Sequence, residues 1–86
     1  MIELNIRKSP GEFLKVMILE ERGLTQKWLA EKIGCSTKKI SEICNNKRGI
    51  SPSFAVQLEE IFHISAEMWV TMQAKWELFN YKNKAA

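Results

Sequence analysis

The amino-acid sequence has few of the residues that interrupt regular structure: only four glycines and two prolines occur among its 86 residues. A β-sandwich or β-barrel needs a turn about every ten residues, so this scarcity argues against those folds. No apolar run approaches the roughly twenty residues that a transmembrane helix requires, and we therefore expect no membrane segment. The hydrophobic fraction of 45% and the charged fraction of 27% are typical of one globular domain, which the shortage of turns predicts to be helical.

Residues that carry catalysis or bind metals are equally scarce. The chain has two cysteines, Cys35 and Cys44, one histidine, His63, and no aspartate. Two thiols cannot form the set of disulfides that stabilises a small secreted scaffold, and no secretory signal pattern opens the sequence. We therefore expect a cytoplasmic protein whose cysteines are reduced and buried. A catalytic triad or a metal cluster would need partners that the sequence lacks, so we expect no enzyme, no metal site and no cofactor. We expect His63 instead at the C-terminal end of a helix, with positive φ.

The net charge of +3 is unevenly distributed along the chain. Residues 25–50 carry six basic and two acidic side chains, whereas residues 51–77 carry one basic and four acidic side chains. A cationic stretch of this kind favours a polyanionic partner such as nucleic acid, provided that the folded chain gathers it on one surface.

Helix-capping residues and apolar periodicity predict five helices within one domain, residues 10–80. Each helix follows a serine or threonine, the residue types that cap helix N-termini with a side-chain oxygen. The predicted helices run from Ser9-Pro10 to about Arg22, from Gln26 to Ile33, from Thr37 to about Asn45, from Ser51-Pro52 onward, and from Ser65 to about Asn80. Before them lies an N-terminal arm, residues 1–9, in which Ile2 to Arg7 alternate apolar and polar side chains, a pattern that predicts an extended arm or a frayed terminus. Residues 81–86 form a tail.

The second and third predicted helices have the pattern of a helix-turn-helix. A short turn containing Gly34 joins them, and Ala30 is small where the third helix would cross the second. The apolar seam between the two helices consists of Leu29, Ile33, Ile40 and Ile43. The outward face of the third helix is polar, with Thr37, Lys38, Ser41 and Glu42, and with Lys39 toward its flank. Such a face suits the major groove of DNA, although an ordinary helical hairpin with solvated lysines would show the same pattern.

A longer series of residues extends through and beyond the helix-turn-helix. It consists of Pro10-Gly11-Glu12, Gly23-Leu24-Thr25-Gln26, Leu29-Ala30, Gly34, Ser36, Ile40-Ser41-Glu42-Ile43, Asn46-Lys47-Arg48-Gly49-Ile50-Ser51-Pro52 and Met68-Trp69. In order and spacing this series resembles the HigA/VapI-type antitoxins of the Cro/lambda-repressor-like class, over about residues 10–80. The Lys47-Arg48-Gly49-Ile50-Ser51-Pro52 run and the later Met68-Trp69 pair are the most specific features of the resemblance. Departures from the family pattern occur at Val16-Met17, Arg22, Trp28 and His63.

The resemblance implies a dimeric transcriptional repressor that binds its own operator and neutralises a HigB toxin, an mRNA-cleaving RelE-like ribonuclease. By position in the family pattern, Gln26 would contact a phosphate or base at the start of the second helix. Thr37, Lys38 and Ser41 would read bases. Phosphate contacts would come from Ser36, Lys39, Lys47 and Arg48, the last two from the loop after the third helix.

The last predicted helix carries apolar residues over more than one face. They either complete the core or form an isologous dimer interface, where aromatic residues and methionine are enriched. The interface candidates are Met68, Trp69, Met72, Trp76 and Phe79. A two-fold dimer would place its two recognition helices about 34 Å apart, one turn of the duplex.

The toxin-binding surface is expected away from the DNA face. The candidates are the N-terminal arm, Val16 and Met17 on helix 1, and the acidic stretch bearing Glu59, Glu60 and Glu67, although Val16 and Met17 fit the core almost as well. Two alternative functions stay open: a phage-type helix-turn-helix repressor with no toxin partner, and a protein-interaction module that has lost DNA binding. The cations Lys38, Lys39, Lys47 and Arg48 argue against the second alternative.

Overall fold

The computed structural model describes residues 9–85, and it describes the side chains of residues 9–83. Helix 1 begins as an α-helix over Pro10–Glu12 and continues without interruption as a π-helix over Phe13–Glu20. The other helices are α2 (Gln26–Ile33), α3 (Thr37–Cys44), α4 (Pro52–Phe62) and α5 (Ala66–Ala85). No strand occurs in this part of the chain, which confirms the prediction of an all-α, five-helix domain. The predicted N-terminal arm lies outside the described residues, apart from Ser9.

A hydroxyl side chain caps the start of every helix, as the sequence predicts. The hydroxyl oxygen of Ser9 accepts from the backbone N–H of Glu12 at 3.0 Å, and that of Ser36 accepts from Lys39 at 3.0 Å. Thr25 and Ser51 accept in the same way from Trp28 and Phe54, and Ser65 accepts from Glu67 at 3.1 Å and from Met68 at 3.4 Å. Because an N-cap needs only a residue and the backbone just after it, these starts can be recognised from local sequence.

The helix ends follow the sequence less closely. Gly34 ends α2 with φ +87°, and His63 ends α4 with φ +62°, as predicted. Helix α5, however, extends to Ala85 rather than stopping near Asn80, so it includes most of the predicted tail. Residues 81–85 contain no glycine or proline to end the helix. No helix among the described residues is long and apolar enough to cross a membrane.

The core lies where helix 1, α3, α4 and α5 meet. Helix 1 contributes Leu14, Ile18 and Leu19. It is closed at Gly23, with φ +69°, where the N–H of Leu24 bonds to the carbonyl of Leu19 at 2.8 Å and the N–H of Gly23 bonds to that of Glu20 at 3.1 Å, a Schellman arrangement. The other fully buried large side chains are Leu29, Ile40, Ile43, Phe54, Leu58 and Trp69.

Trp69 lies at the centre of this core with 0% of its surface exposed. Its ring meets that of Phe13 edge to face, with centroids 5.5 Å apart. The prediction that Trp69 belongs to a dimer interface is therefore wrong, because its side chain has no surface left for a partner. The apolar pattern of α5 could not distinguish Trp69 from the other apolar residues of that helix, since the pattern covers more than one face.

Candidate nucleic-acid interface

Helices α2 and α3 form the predicted helix-turn-helix. Gly34 supplies the left-handed residue of the turn, and its N–H bonds to the carbonyl of Ala30 at 2.8 Å. Leu29, Ile40 and Ile43 are buried in the seam, and Ala30 is only 2% exposed. Of the predicted seam residues only Ile33 is half-buried. The packing of α2 against α3 fixes which side of α3 faces solvent.

The outward side of α3 presents short polar and cationic side chains. Thr37 and Lys38 are exposed at its first turn, and Ser41 is half-buried one turn later. Lys39 leans back across the flank, with Nζ 5.6 Å from the centroid of the Phe54 ring. Ser36 uses its hydroxyl oxygen as an acceptor to cap α3, but its hydroxyl proton can still be donated. The exposed surface at the start of α3 is therefore led by Thr37 and Lys38.

The start of α2 is the N-terminal end of the helix-turn-helix. Gln26 is half-buried at the first position of α2, immediately after the capping residue Thr25. The first N–H groups of α2 and α3 lack partners within their helices and carry a partial positive charge. Both helix starts can therefore receive the oxygen atoms of a phosphate.

The loop after α3 has a defined conformation. Asn46 is left-handed, with φ +63°, and the N–H of Lys47 bonds to the carbonyl of Glu42 at 2.8 Å. The N–H of Asn46 also bonds to the carbonyl of Ile43 at 3.2 Å. This pair of bonds is the Schellman arrangement, which ends a helix and turns the chain sharply. It brings Lys47 and Arg48 back beside the end of α3.

Arg48 is held by a carboxylate of the recognition helix. Its Nε and Nη2 atoms both donate to Oε1 of Glu42, at 3.2 and 2.9 Å. The Arg48 side chain is 53% exposed, so much of its guanidinium surface faces solvent. A guanidinium has five N–H donors, and the three that Glu42 does not use can reach another acceptor. The sequence pattern predicts Glu42 on the outward face of α3 but contains no sign of this ion pair.

A second contact to the loop comes from α5. Oε1 of Gln73 accepts from the N–H of buried Ile50 at 2.9 Å, and Nε2 of Gln73 donates to Oε2 of Glu77 at 3.0 Å. A Cβ atom on Gly49 would lie 3.1 Å from Nε2 of Gln73, so the loop and the amide are in close contact. Sequence reasoning missed Gln73, because its partner is 23 residues away and no local motif connects them.

Helix α5 also presents apolar side chains to solvent beyond the core. Met72, Trp76 and Phe79 are half-buried, and Met68 is 38% exposed. The Trp76 and Phe79 rings stack, with centroids 6.5 Å apart and planes inclined by 24°. Leu78 and Tyr81 extend this surface and are more exposed. Apart from Trp69, the predicted interface residues therefore keep surface available to a partner.

The titratable groups form no cluster suited to a metal ion within the described residues. No group of three or more histidine, cysteine or acidic side chains comes together there. Burial raises the pKa of the Cys44 thiol to about 11, against the lowering effect of Lys15. Cys44 is buried as predicted, whereas Cys35 in the turn is half-buried.

Comparison with known proteins identifies this architecture. A helix-turn-helix family model, HTH_3, matches residues 17–69. Virulence-associated protein A of Dichelobacter nodosus is 47% identical over 70 residues, which cover 80% of this chain and 69% of that protein. Antitoxin HigA-1 of Vibrio cholerae is 33% identical over 76 residues, covering 88% of this chain and 71% of that protein. The chain belongs to the helix-turn-helix family that includes the HigA antitoxins. It spans 64% of virulence-associated protein I of Dichelobacter nodosus, so some relatives are considerably longer.

Solved structures of this family include proteins bound to DNA. The Pseudomonas aeruginosa antitoxin HigA with the higBA promoter superposes with a TM-score of 0.86 at 28% identity, covering 91% of this chain and 85% of that one. The Pseudomonas aeruginosa protein PA4674, in complex with its 18-bp operator DNA, has a TM-score of 0.78 at 31% identity, covering 83% and 76%. The arrangement of all five helices is thus that of the HigA antitoxins.

Three departures from the antitoxin pattern lie together, away from α3. The Arg22 guanidinium lies 5.3 Å from the centroid of the Phe62 ring, and the Trp28 ring lies 6.2 Å from it. His63 follows Phe62 directly, and Lys32 extends the group, with Nζ 5.7 Å from the Trp28 ring. Trp28 is half-buried and Phe62 is buried, and cation–π contacts of this kind stabilise such rings. Arg22 and Trp28 therefore pack against the same ring, and none of the three departures lies on α3.

Proposed function

We propose that the protein is the antitoxin of a toxin–antitoxin module. It binds its own operator as a homodimer, represses transcription, and neutralises a HigB/RelE-like mRNA-cleaving toxin. The observation that carries this proposal is the exposed start of α3, with Thr37 and Lys38 beside the ordered Lys47-Arg48 loop, in a chain related to HigA antitoxins. The protein acts by binding rather than by catalysis, in the cytoplasm, where its operator and the toxin's mRNA substrate are found.

Sequence-specific contacts come from the outward side of α3 in the major groove. Lys38 is long enough to reach the O6 and N7 acceptors of guanine, and the hydroxyls of Thr37 and Ser41 can donate to or accept from a base edge. Lys38 and Ser41 lie on the side of α3 away from the buried Ile40 and Ile43, and Thr37 is exposed at the first turn. Their exposure, together with the rigid seam behind them, supports this role.

Phosphate contacts flank the base contacts. Gln26 and Ser36 lie at the starts of α2 and α3, where backbone N–H groups also favour anions. Positive charge comes from Lys39 on α3 and from Lys47 and Arg48 in the loop that follows α3. Because Glu42 fixes Nε and Nη2 of Arg48, the remaining N–H donors of the guanidinium point away from α3 and can bind a phosphate.

Dimerisation uses the apolar surface of α5. Met68, Met72, Trp76 and Phe79 form the interface, and pairing about a two-fold axis places the recognition helices about 34 Å apart, in successive major grooves. A dimer doubles the short site that one helix-turn-helix can read and makes the operator palindromic.

Toxin binding uses surface that DNA leaves free. Met17 is 45% exposed and Val16 half-buried on helix 1, and Glu59, Glu60 and Glu67 are exposed. Exposed apolar side chains and exposed carboxylates both suit contact with a basic ribonuclease. The N-terminal residues 1–8 are the third candidate, since their alternating pattern could add a strand to a partner's sheet.

The test measures binding to the promoter fragment upstream of the coding sequence by fluorescence anisotropy, with random duplex as reference. Replacing Lys47 and Arg48 by alanine weakens binding to both DNAs, because phosphate contacts carry no sequence information. Raising salt from about 50 to 200 mM weakens binding steeply through counterion release. Binding that is indifferent to salt contradicts the phosphate contacts.

Co-expression with the product of the adjacent gene tests the antitoxin role. We expect that gene to encode a toxin, that the intact chain protects the cell, and that deletion of residues 1–8 or V16E/M17E restores toxicity while operator binding survives. Protection by both variants would place the toxin elsewhere. A neighbouring gene with no toxic product would instead favour the stand-alone repressor.

A further inference from the structure

The loop that carries Lys47 and Arg48 makes few contacts with α5. A cleft of about 210 Å³ separates the two, and its walls include Asn46, Lys47, Arg48, Trp76 and Glu77. Within the described part of the chain, the bond from Ile50 N–H to Gln73 is the only hydrogen bond that crosses from this loop to α5. Ile50 is packed in the core, and this bond is the polar contact that sets where its backbone lies relative to α5.

Gln73 is itself held at both ends of its amide. While Oε1 accepts from Ile50, Nε2 donates to Glu77 on the next turn of α5. An amide with both its oxygen and its nitrogen bound cannot rotate freely, so the position of α5 is transmitted to the backbone at Ile50. The close approach of Gly49 to the same amide adds a steric contact.

We propose that Gln73 is a positioning residue for DNA binding. It holds the Lys47-Arg48-Gly49 loop in the position from which the side chains of Lys47 and Arg48 reach phosphates. This role rests on the proposed function, since it requires that Lys47 and Arg48 bind DNA. Gln73 does not touch DNA in this arrangement; it acts through the backbone of Ile50. Because Gln73 lies between Met72 and Trp76, it also connects the dimer-forming surface of α5 to the DNA contacts.

The test uses the full chain with two substitutions at Gln73. Gln73→Leu keeps the approximate size of the side chain and removes both hydrogen bonds. Gln73→Ala opens the site so that water can reach the Ile50 N–H, and it carries the experiment if the leucine variant does not fold. Gln57→Leu, at an exposed glutamine of α4, is the matched control.

We expect both Gln73 variants to bind promoter and random DNA about three- to tenfold more weakly, the effect of removing about one hydrogen bond. The slope of log affinity against log salt should become shallower by about one for each phosphate that the variant no longer binds. Dimer mass and the melting temperature of the alanine variant should stay close to those of the unmodified chain, and Gln57→Leu should change none of these quantities.

Repeating Gln73→Ala in a chain that already has Lys47 and Arg48 replaced by alanine separates positioning from general stability. If Gln73 acts by placing those cations, its substitution has no further effect there. An undiminished loss of affinity in that background, or an unchanged salt slope, overturns the positioning role. Different results would contradict the proposed function itself. They are that the unmodified chain binds neither promoter nor random DNA, or that replacing Lys47 and Arg48 by alanine has no effect on binding.

Discussion

Single side chains satisfy backbone groups that the helices of this protein leave unpaired. Ser9 and Ser36 each accept from an N–H at a helix start, and Gln73 does the same for Ile50 in the loop after α3. Losing a helix N-cap costs about 0.5–2 kcal/mol, and leaving the N–H of Ile50 without a partner costs about 1–3 kcal/mol, so each of these hydrogen bonds stabilises one conformation of the chain against its alternatives. At the DNA-binding end of the molecule, that conformation is the one that presents Lys38 and Lys47.

The thiol of Cys44 allows the burial of a single core side chain to be tested. Burial raises the pKa of its thiol to about 11, so the unfolded chain releases this proton at lower pH than the folded chain does. Stability contributed by the protonated thiol is therefore complete at neutral pH and is lost as pH rises from about 9 toward 11. We expect urea unfolding to show a steeper loss of stability above pH 9 in the unmodified chain than in Cys44→Ala. Parallel curves for the two proteins would mean that Cys44 is not buried as described.

Sequence reasoning succeeds for some residues and fails for others for one physical reason. Ser36 and His63 act on backbone close to them in the chain, and the roles of both can be identified from sequence. Gln73 and Glu42 act on partners that folding brings near, and a polar side chain in the sequence looks the same whether or not it has such a partner. Trp69 and Trp76 are seven residues apart, almost two full turns, so they lie on nearly the same side of α5. They differ in position along the helix: Trp69, near its start, packs against Phe13 in the core, whereas Trp76, two turns further on, is half-buried.

At the scale of whole elements, the crossing of helix 1 over the end of α3 sets the shape of the DNA-binding end. A Cβ atom on Gly11 would lie 1.9 Å from the carbonyl oxygen of Ile43, and 2.9 Å from Oδ1 of Asn46. Only glycine permits this approach, because the obstacle is backbone that cannot move aside. The helix starts were predictable from their caps, whereas this crossing and the π-helical geometry of Phe13–Glu20 depend on tertiary packing.

Gly11→Ala should therefore destabilise the fold and disturb the loop after α3. We expect a decrease of about 1–3 kcal/mol in the free energy of unfolding, the usual cost of forcing extra atoms into a packed site. Gly49→Ala is the control, since its Cβ would meet only side-chain atoms of Gln73, the nearest at 3.1 Å, and no backbone. Denaturant titration compares the two, and equal stabilities would show that helix 1 does not approach α3 so closely.

Substituting the two tryptophans of α5 one at a time distinguishes folding of the protomer from assembly of the dimer. Trp69 is buried within one protomer, so Trp69→Ala should cost about 3–5 kcal/mol of stability. Trp76 is half-buried on the surface that we assign to the dimer, so Trp76→Ala should leave the helical content unchanged while lowering the dimer mass. Analytical ultracentrifugation at micromolar concentration distinguishes them. A Trp76→Ala protein that stays dimeric, with unaltered operator affinity, would exclude this face as the interface.

Base reading by α3 is the basis of the proposed function, and the variant Lys38→Ala tests it. Lys75→Ala, at an exposed lysine on α5, removes the same charge away from α3 and serves as control. Affinities of the three proteins for the promoter fragment and for random duplex are measured at one salt concentration. We expect Lys38→Ala to lose about 1–3 kcal/mol of binding free energy on the promoter and much less on random DNA, while the control loses little on either. Equal losses on both DNAs for Lys38→Ala would contradict base reading by α3.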